Sequence, residues 1–89
     1  KQLSLKKPIK PYMIKVSNTS VITMKSGAGN IWYPSIVFYD DGLNIIGTYQ
    51  ENSLHKSLKL EVPKNTKFIK IDDLHTLANI KQGINITKE

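Results

Sequence analysis

Between residues 56 and 62 the side chains alternate without a break: Leu58, Leu60 and Val62 fall on one side of an extended chain, Lys59 and Glu61 on the other. A repeat of two belongs to the β-strand, where successive Cβ atoms point to opposite faces. Similar short segments recur along the chain, each closed by Gly, Pro, Asn, Asp or Ser. Segments of this kind hide their apolar sides by stacking layer on layer. The expectation is therefore an all-β (mainly β) chain.

Residues 12–16 place Tyr12, Ile14 and Val16 on one face and Lys15 on the other; residues 20–25 put Ile22 and Met24 on one face. With Ser17-Asn18-Thr19 between them, these two segments read as a hairpin. Residues 34–39 are apolar on both faces, as an interior strand requires. Asp40-Asp41-Gly42 supplies a turn and residues 44–49 return, which gives the clearest hairpin in the chain. Pro63-Lys64-Asn65-Thr66 turns residues 56–62 into residues 67–71. Beyond them, Asp72 or Asp73 is placed to cap a short helix over 73–81, ended by Gly83. Helix and loop remain open readings there, and residues 84–87 form a last edge strand. Segments at intervals of about 8–12 residues predict an antiparallel β-sandwich, jelly-roll-like, of about six to seven strands.

Pro8 and Pro11 lack the amide that a central strand needs. Residues 1–11 accordingly read as a basic extended arm, and 12–89 as a single β-sandwich domain. Eighty-nine residues allow one core. With 39% hydrophobic and 22% charged residues, the chain is too apolar to be mostly disordered. Apolar runs of four to six residues are too short to span a membrane. No charged start followed by an apolar stretch signals a leader. Zero cysteines exclude a disulfide scaffold, a thiol nucleophile and a Cys-based zinc site within this stretch.

The net charge of +6 is unevenly placed. Six lysines and no acid precede Asp40, while seven lysines meet seven acids from Asp40 onward. All basic residues are lysine. Without the planar guanidinium fork, such a surface reads nucleic acid poorly and attracts polyanions only non-specifically. His55 and His75 stand in no metal-ligand spacing. Asp40-Asp41 and Asp72-Asp73 point to opposite faces if extended, so they read as turn and cap residues rather than an acid–base dyad. A shallow calcium site is the minor alternative. The Gly27-Ala28-Gly29 loop lacks the Gly-Lys-Ser/Thr signature of a phosphate loop. The expectation is a non-enzyme without cofactor or metal.

Two features suit binding. Trp32 and Tyr33, with Tyr49, are candidates for a rim that stacks a sugar ring or anchors a partner; the competing reading makes Trp32 the largest core residue. Lys6, Lys7 and Lys10 mark the arm, which serves either as a tether or as a strand added to a neighbour's open edge.

The layout of Tyr33-Pro34-Ser35-Ile36-Val37-Phe38-Tyr39-Asp40, a return strand, Leu58-Lys59-Leu60 through Val62-Pro63, and Phe68-Ile69-Lys70-Ile71 resembles bacterial secreted modules of the pre-peptidase type and sandwich modules of phage-tail and cell-surface proteins. Over residues 12–72 it is also similar to the C-terminal domain family of the maltose-operon periplasmic proteins. The resemblance implies a jelly-roll-like accessory domain without catalysis, periplasmic or extracellular in a bacterium. The acidic loop residues that hold calcium in some such modules are matched only at Asp40 and Asp41, so no ligand site is carried over. Together these readings predict a protein–protein interaction or structural module of a cell-envelope or secreted protein, with carbohydrate binding through the rim aromatics as the alternative.

Overall fold

The computed structural model describes residues 2–89 and is built of eight strands. They are β1 (Gln2–Leu5), β2 (Tyr12–Lys15), β3 (Val21–Ser26), β4 (Pro34–Tyr39), β5 (Ile45–Gln50), β6 (Ser57–Glu61), β7 (Phe68–Asp73) and β8 (Ile84–Lys88). Every pairing is antiparallel.

The order follows from one hairpin. β4 and β5 pair across the Asp40 turn; outward from them, β3 pairs with β6, β2 with β7 and β1 with β8. Each strand thus meets the one equally far from the opposite end of the ribbon. The ribbon then curls, so that β3 also pairs with β8 and β4 with β7. Two four-stranded sheets result, in the orders β1-β8-β3-β6 and β2-β7-β4-β5. This is the jelly-roll arrangement.

The alternation read from the sequence decides what lies between the sheets. Ile22 and Met24 of β3, Ile84 and Ile86 of β8, Ile36 of β4, and Ile69 and Ile71 of β7 are all enclosed. Enclosing each such side chain contributes roughly 1.5–3 kcal/mol. The strands on the β2-β7-β4-β5 side turn their other residues outward, among them Met13, Lys70, Val37 and Thr48 in one row across the sheet.

Four expectations are corrected; one is the edge position of residues 84–87, since β8 lies between β1 and β3. The strands number eight, because residues 2–5 of the segment read as an arm form β1 and pair with β8. Leu3 and Leu5 are half-buried against the core, which explains their spacing. Residues 12–16 and 20–25 are not a hairpin: β2 and β3 lie in different sheets, and the turn between them carries the chain across the sandwich. Residues 73–81 form no α-helix. They run as a loop with a single 3-10 turn, Leu77–Asn79, whose cap is Thr76.

β1 has one strict requirement. Gly83 has φ +80°, and a Cβ on it would lie 1.9 Å from the Leu5 carbonyl oxygen. That conformation suits glycine, and no side chain fits the contact. Gly83→Ala is expected to lower stability by about 1–3 kcal/mol and to release β1 from β8. Amide exchange reads this directly: Leu3 and Leu5 should lose protection while Ile69 and Ile71 keep theirs.

Candidate interaction surface

At one end of the sandwich the connections β3–β4, β5–β6 and β7–β8 are tied together. Ile31 N–H donates to the Asn79 carbonyl at 2.9 Å, His55 N–H to the Trp32 carbonyl at 3.0 Å and Gly27 N–H to the Gly83 carbonyl at 3.1 Å. Trp32 plugs this end with an exposure of 0%, and its indole N–H donates to the Asp72 carbonyl at 3.1 Å. An indole enclosed this way has no face for stacking a sugar ring. The core role weighed for Trp32 is the one it has here.

Asp73 organises the loop beside it. One carboxylate oxygen accepts the Tyr33 N–H at 2.8 Å; the other accepts His75 N–H at 2.9 Å, Thr76 N–H at 3.0 Å and the Asn79 amide at 3.0 Å. Burial disfavours its charge, yet the hydrogen bonds from Tyr33, His75, Thr76 and Asn79 outweigh that and hold its pKa below the usual value. The pattern of donors marks a structural carboxylate that caps a loop. Among the described residues no group of three or more His, Asp or Glu side chains is placed to hold a metal ion.

The remaining sequence candidates do not converge. Tyr33 is half-buried and meets the His75 ring edge-on at 4.9 Å between centroids. Tyr49 leans on the core from β5, its hydroxyl donating to Glu51 at 2.8 Å, a bond that raises its pKa. Lys6, Lys7 and Lys10 are exposed in the β1–β2 connection, where the Tyr12 hydroxyl donates to the Lys6 carbonyl. These positions supply no single platform.

The opposite end, made by the β2–β3, β4–β5 and β6–β7 turns, holds an open trough of about 770 Å³ lined by polar groups such as Asn18, Asp41, Lys64 and Asn65. Asn18, Leu43 and Asn65 have left-handed backbones, at φ 62°, 62° and 69°. Asparagine accepts that conformation readily, and leucine at a cost of roughly 1–2 kcal/mol. Asp40 offsets it, accepting the Gly42 and Asn44 N–H groups at 2.9 Å each. Those bonds from Asn44, then Gly42, also lower the Asp40 pKa. At this end the Asp40 carboxylate and the Thr66 hydroxyl, which donates to the Pro63 carbonyl at 2.6 Å, serve the turns themselves.

The surface left over is the outside of the β2-β7-β4-β5 sheet and its β5 border. Two rows cross that face: Met13, Lys70, Val37 and Thr48, then Lys15, Phe68, Tyr39 and Ile45. Between Phe38 and Tyr39 the register shifts, so Ile46 is an extra residue on β5. A bulge re-aims side chains. Here it leaves two successive isoleucines outside, Ile45 at 63% and Ile46 at 38% exposure, beside Leu43 at 60% and across the sheet from Met13 at 52%. Sequence reasoning found Tyr39, Ile45 and Ile46 but assigned them to a buried interior strand and its return. The signal available was the apolar character of residues 34–39 on both faces together with Ile45-Ile46. No family model, curated protein or solved structure matches the chain.

Proposed function

We propose that this domain is a non-catalytic protein–protein interaction module, and that it docks through the β5 border and the adjoining outer face of the β2-β7-β4-β5 sheet. The observation that supports this is the apolar strip of exposed Met13, Ile45 and Ile46 with half-buried Tyr39, on a face whose lysines, Lys15 and Lys70, stand among it rather than around it. Grouped apolar exposure on a small domain marks a contact surface. The outer face of the other sheet is different. Its rows carry Gln2, Thr87, Thr23 and Lys59, and Ser4, Asn85, Lys25 and Ser57, all suited to water.

Four strands about 4.8 Å apart and five or six residues of about 3.3 Å give a face roughly 15–20 Å on a side. That is the low end of specific interfaces, so the reading is of a modest contact within a larger assembly. A place in a bacterial envelope or secreted protein, which the resemblance implies, belongs to the same proposal. The test is photo-crosslinking in cells that make the protein natively. A benzophenone side chain at Thr48 or Met13 should give one or two discrete larger adducts, whereas the same group at Thr23 or Lys59 should give none. Adducts from both faces alike, or from neither, would count against the proposal.

A further inference from the structure

The four edge strands are protected unequally. β1 is four residues long and is followed at once by Lys6, Lys7 and Pro8; β2, also four, holds Lys15 and follows Pro11; β6 carries Lys59 and Glu61. Short length, charge and proline are the usual guards against edge pairing. β5 has six residues, Ile45–Gln50, without a charge or a proline; its one guard is the bulge at Ile46, which leaves Gly47–Gln50 as regular open edge.

Its hydrogen-bonding phase is fixed. Glu51 N–H donates to the Pro34 carbonyl at 3.0 Å, and Ile36 stands opposite Tyr49, Val37 opposite Thr48, and Ser35 opposite Gln50. Bonded and non-bonded pairs alternate in an antiparallel ladder. Pro34/Glu51 and Ile36/Tyr49 are therefore the bonded pairs. The N–H and C=O groups of Thr48 and Gln50 consequently point away from β4, along the open edge.

We infer that this edge receives the β5 strand of a second copy of the chain, antiparallel about a two-fold axis through Thr48, which joins two sheets into one of eight strands. The inference rests on the interaction reading of the same edge. Charge selects the edge through which two copies can meet. Each copy carries +6, so two copies repel, and approach through β2 or β6 would set lysines on both sides of the contact. Between Ile45 and Gln50 there is nothing to repel.

Register selects the axis. With Thr48 opposite Thr48, Ile46 stands opposite Gln50 and Gly47 opposite Tyr49. The outward-pointing groups of Thr48 then face each other for about two hydrogen bonds on the axis, and Gln50 of each copy faces the bulged Ile46 of the other. Paired threonines are favourable cross-strand neighbours. On the inner side, the Tyr49 ring lies over Gly47 of the other copy, where the absent side chain leaves room. On the outer side, Ile46 gains cover from Gln50, and the two apolar strips become continuous.

Sedimentation equilibrium of the wild-type chain should show the 10.1 kDa species giving way to one of twice that mass. For a small edge interface the change is expected over about 10 µM to 1 mM. Because cationic monomers repel, association should tighten by roughly three- to tenfold as salt rises from about 50 to 500 mM. Thr48→Lys puts two ammonium groups at the axis and should abolish the dimer. Ser57→Lys adds the same charge to the β6 edge and should leave the dissociation constant within about threefold. In the wild type, amide exchange at Thr48 and Gln50 should slow with concentration while exchange at Lys59 does not. A single 10.1 kDa species at every concentration, or equal dissociation in both lysine variants, overturns self-pairing. If that monomer still forms photoadducts from Thr48 with a different protein, the interaction reading stands; if it forms none, both fall.

Discussion

Trp32→Ala should lower stability by about 3–5 kcal/mol, the usual loss for truncating an enclosed aromatic side chain. At about 0.05–0.15 kcal/mol per residue, a chain of 89 residues has of the order of 5–13 kcal/mol in total. The substitution therefore removes a large share of what holds the fold. Trp32 closes one end of the sandwich at 0% exposure, among residues from both sheets, and donates its indole N–H to the Asp72 carbonyl. Truncation leaves a cavity that the surrounding strands cannot fill and a carbonyl without its donor. Trp32→Phe retains most of the volume and should lose only about 1–2 kcal/mol, chiefly the missing volume and hydrogen bond. Urea unfolding followed by circular dichroism orders the three proteins. A Trp32→Ala midpoint indistinguishable from wild type would show that the indole is not the plug described above.

Asp73→Ala is expected to cost about 2–4 kcal/mol, because three backbone N–H groups and the Asn79 amide lose their acceptor together. Asp73→Asn keeps one acceptor oxygen and should cost about half as much. Acid separates charge from shape. The Asp73 pKa is lower in the fold than the ordinary aspartate value. Its charge-dependent contribution is thus complete above the unfolded value, near about 4, and disappears as pH falls through the lower folded value. The stability gap between wild type and Asp73→Asn should be widest at neutral pH, stay constant down to about pH 5, and narrow below pH 4. A gap that is flat through pH 2–4 would mean that the carboxylate charge plays no part. Asp40 titrates in the same direction, so the comparison is made between the two proteins and not from the wild-type curve alone.

Much of the sheet content was legible because alternation is a local signal. Residues 34–39 read as an interior strand, and β4 lies between β7 and β5; Leu58 and Leu60 read as inward, and they pack into or against the core. What escaped was non-local. β1 finds its partner at the far end of the chain, and its two leucines are too few to announce a strand beside Lys6, Lys7 and Pro8. The β2–β3 turn looks like a hairpin turn because composition gives no sign of which sheet the next strand will enter. Around residues 73–81 the capping chemistry was visible and its outcome was not. Asp73 does accept the N–H groups of the following loop, but Leu77 and Ile80 are drawn to the core and the chain closes after one 3-10 turn. The surface strip was hidden for a related reason: an apolar residue on the open side of a sheet has the same spelling as one inside.

The position of β8 also governs how the molecule forms on the ribosome. Synthesis supplies strands in order, and the β2-β7-β4-β5 sheet has all its members once residue 73 has emerged. The other sheet does not. Its inner member between β1 and β3 is the last of these eight strands to be made, so Leu3, Leu5 and Met24 wait for cover until residues 84–88 arrive. Pairings that span most of the chain are slow to close, and a nascent chain in this state exposes apolar surface that chaperones recognise. Truncation just before Ile84 should thus yield an aggregating species rather than a smaller folded domain.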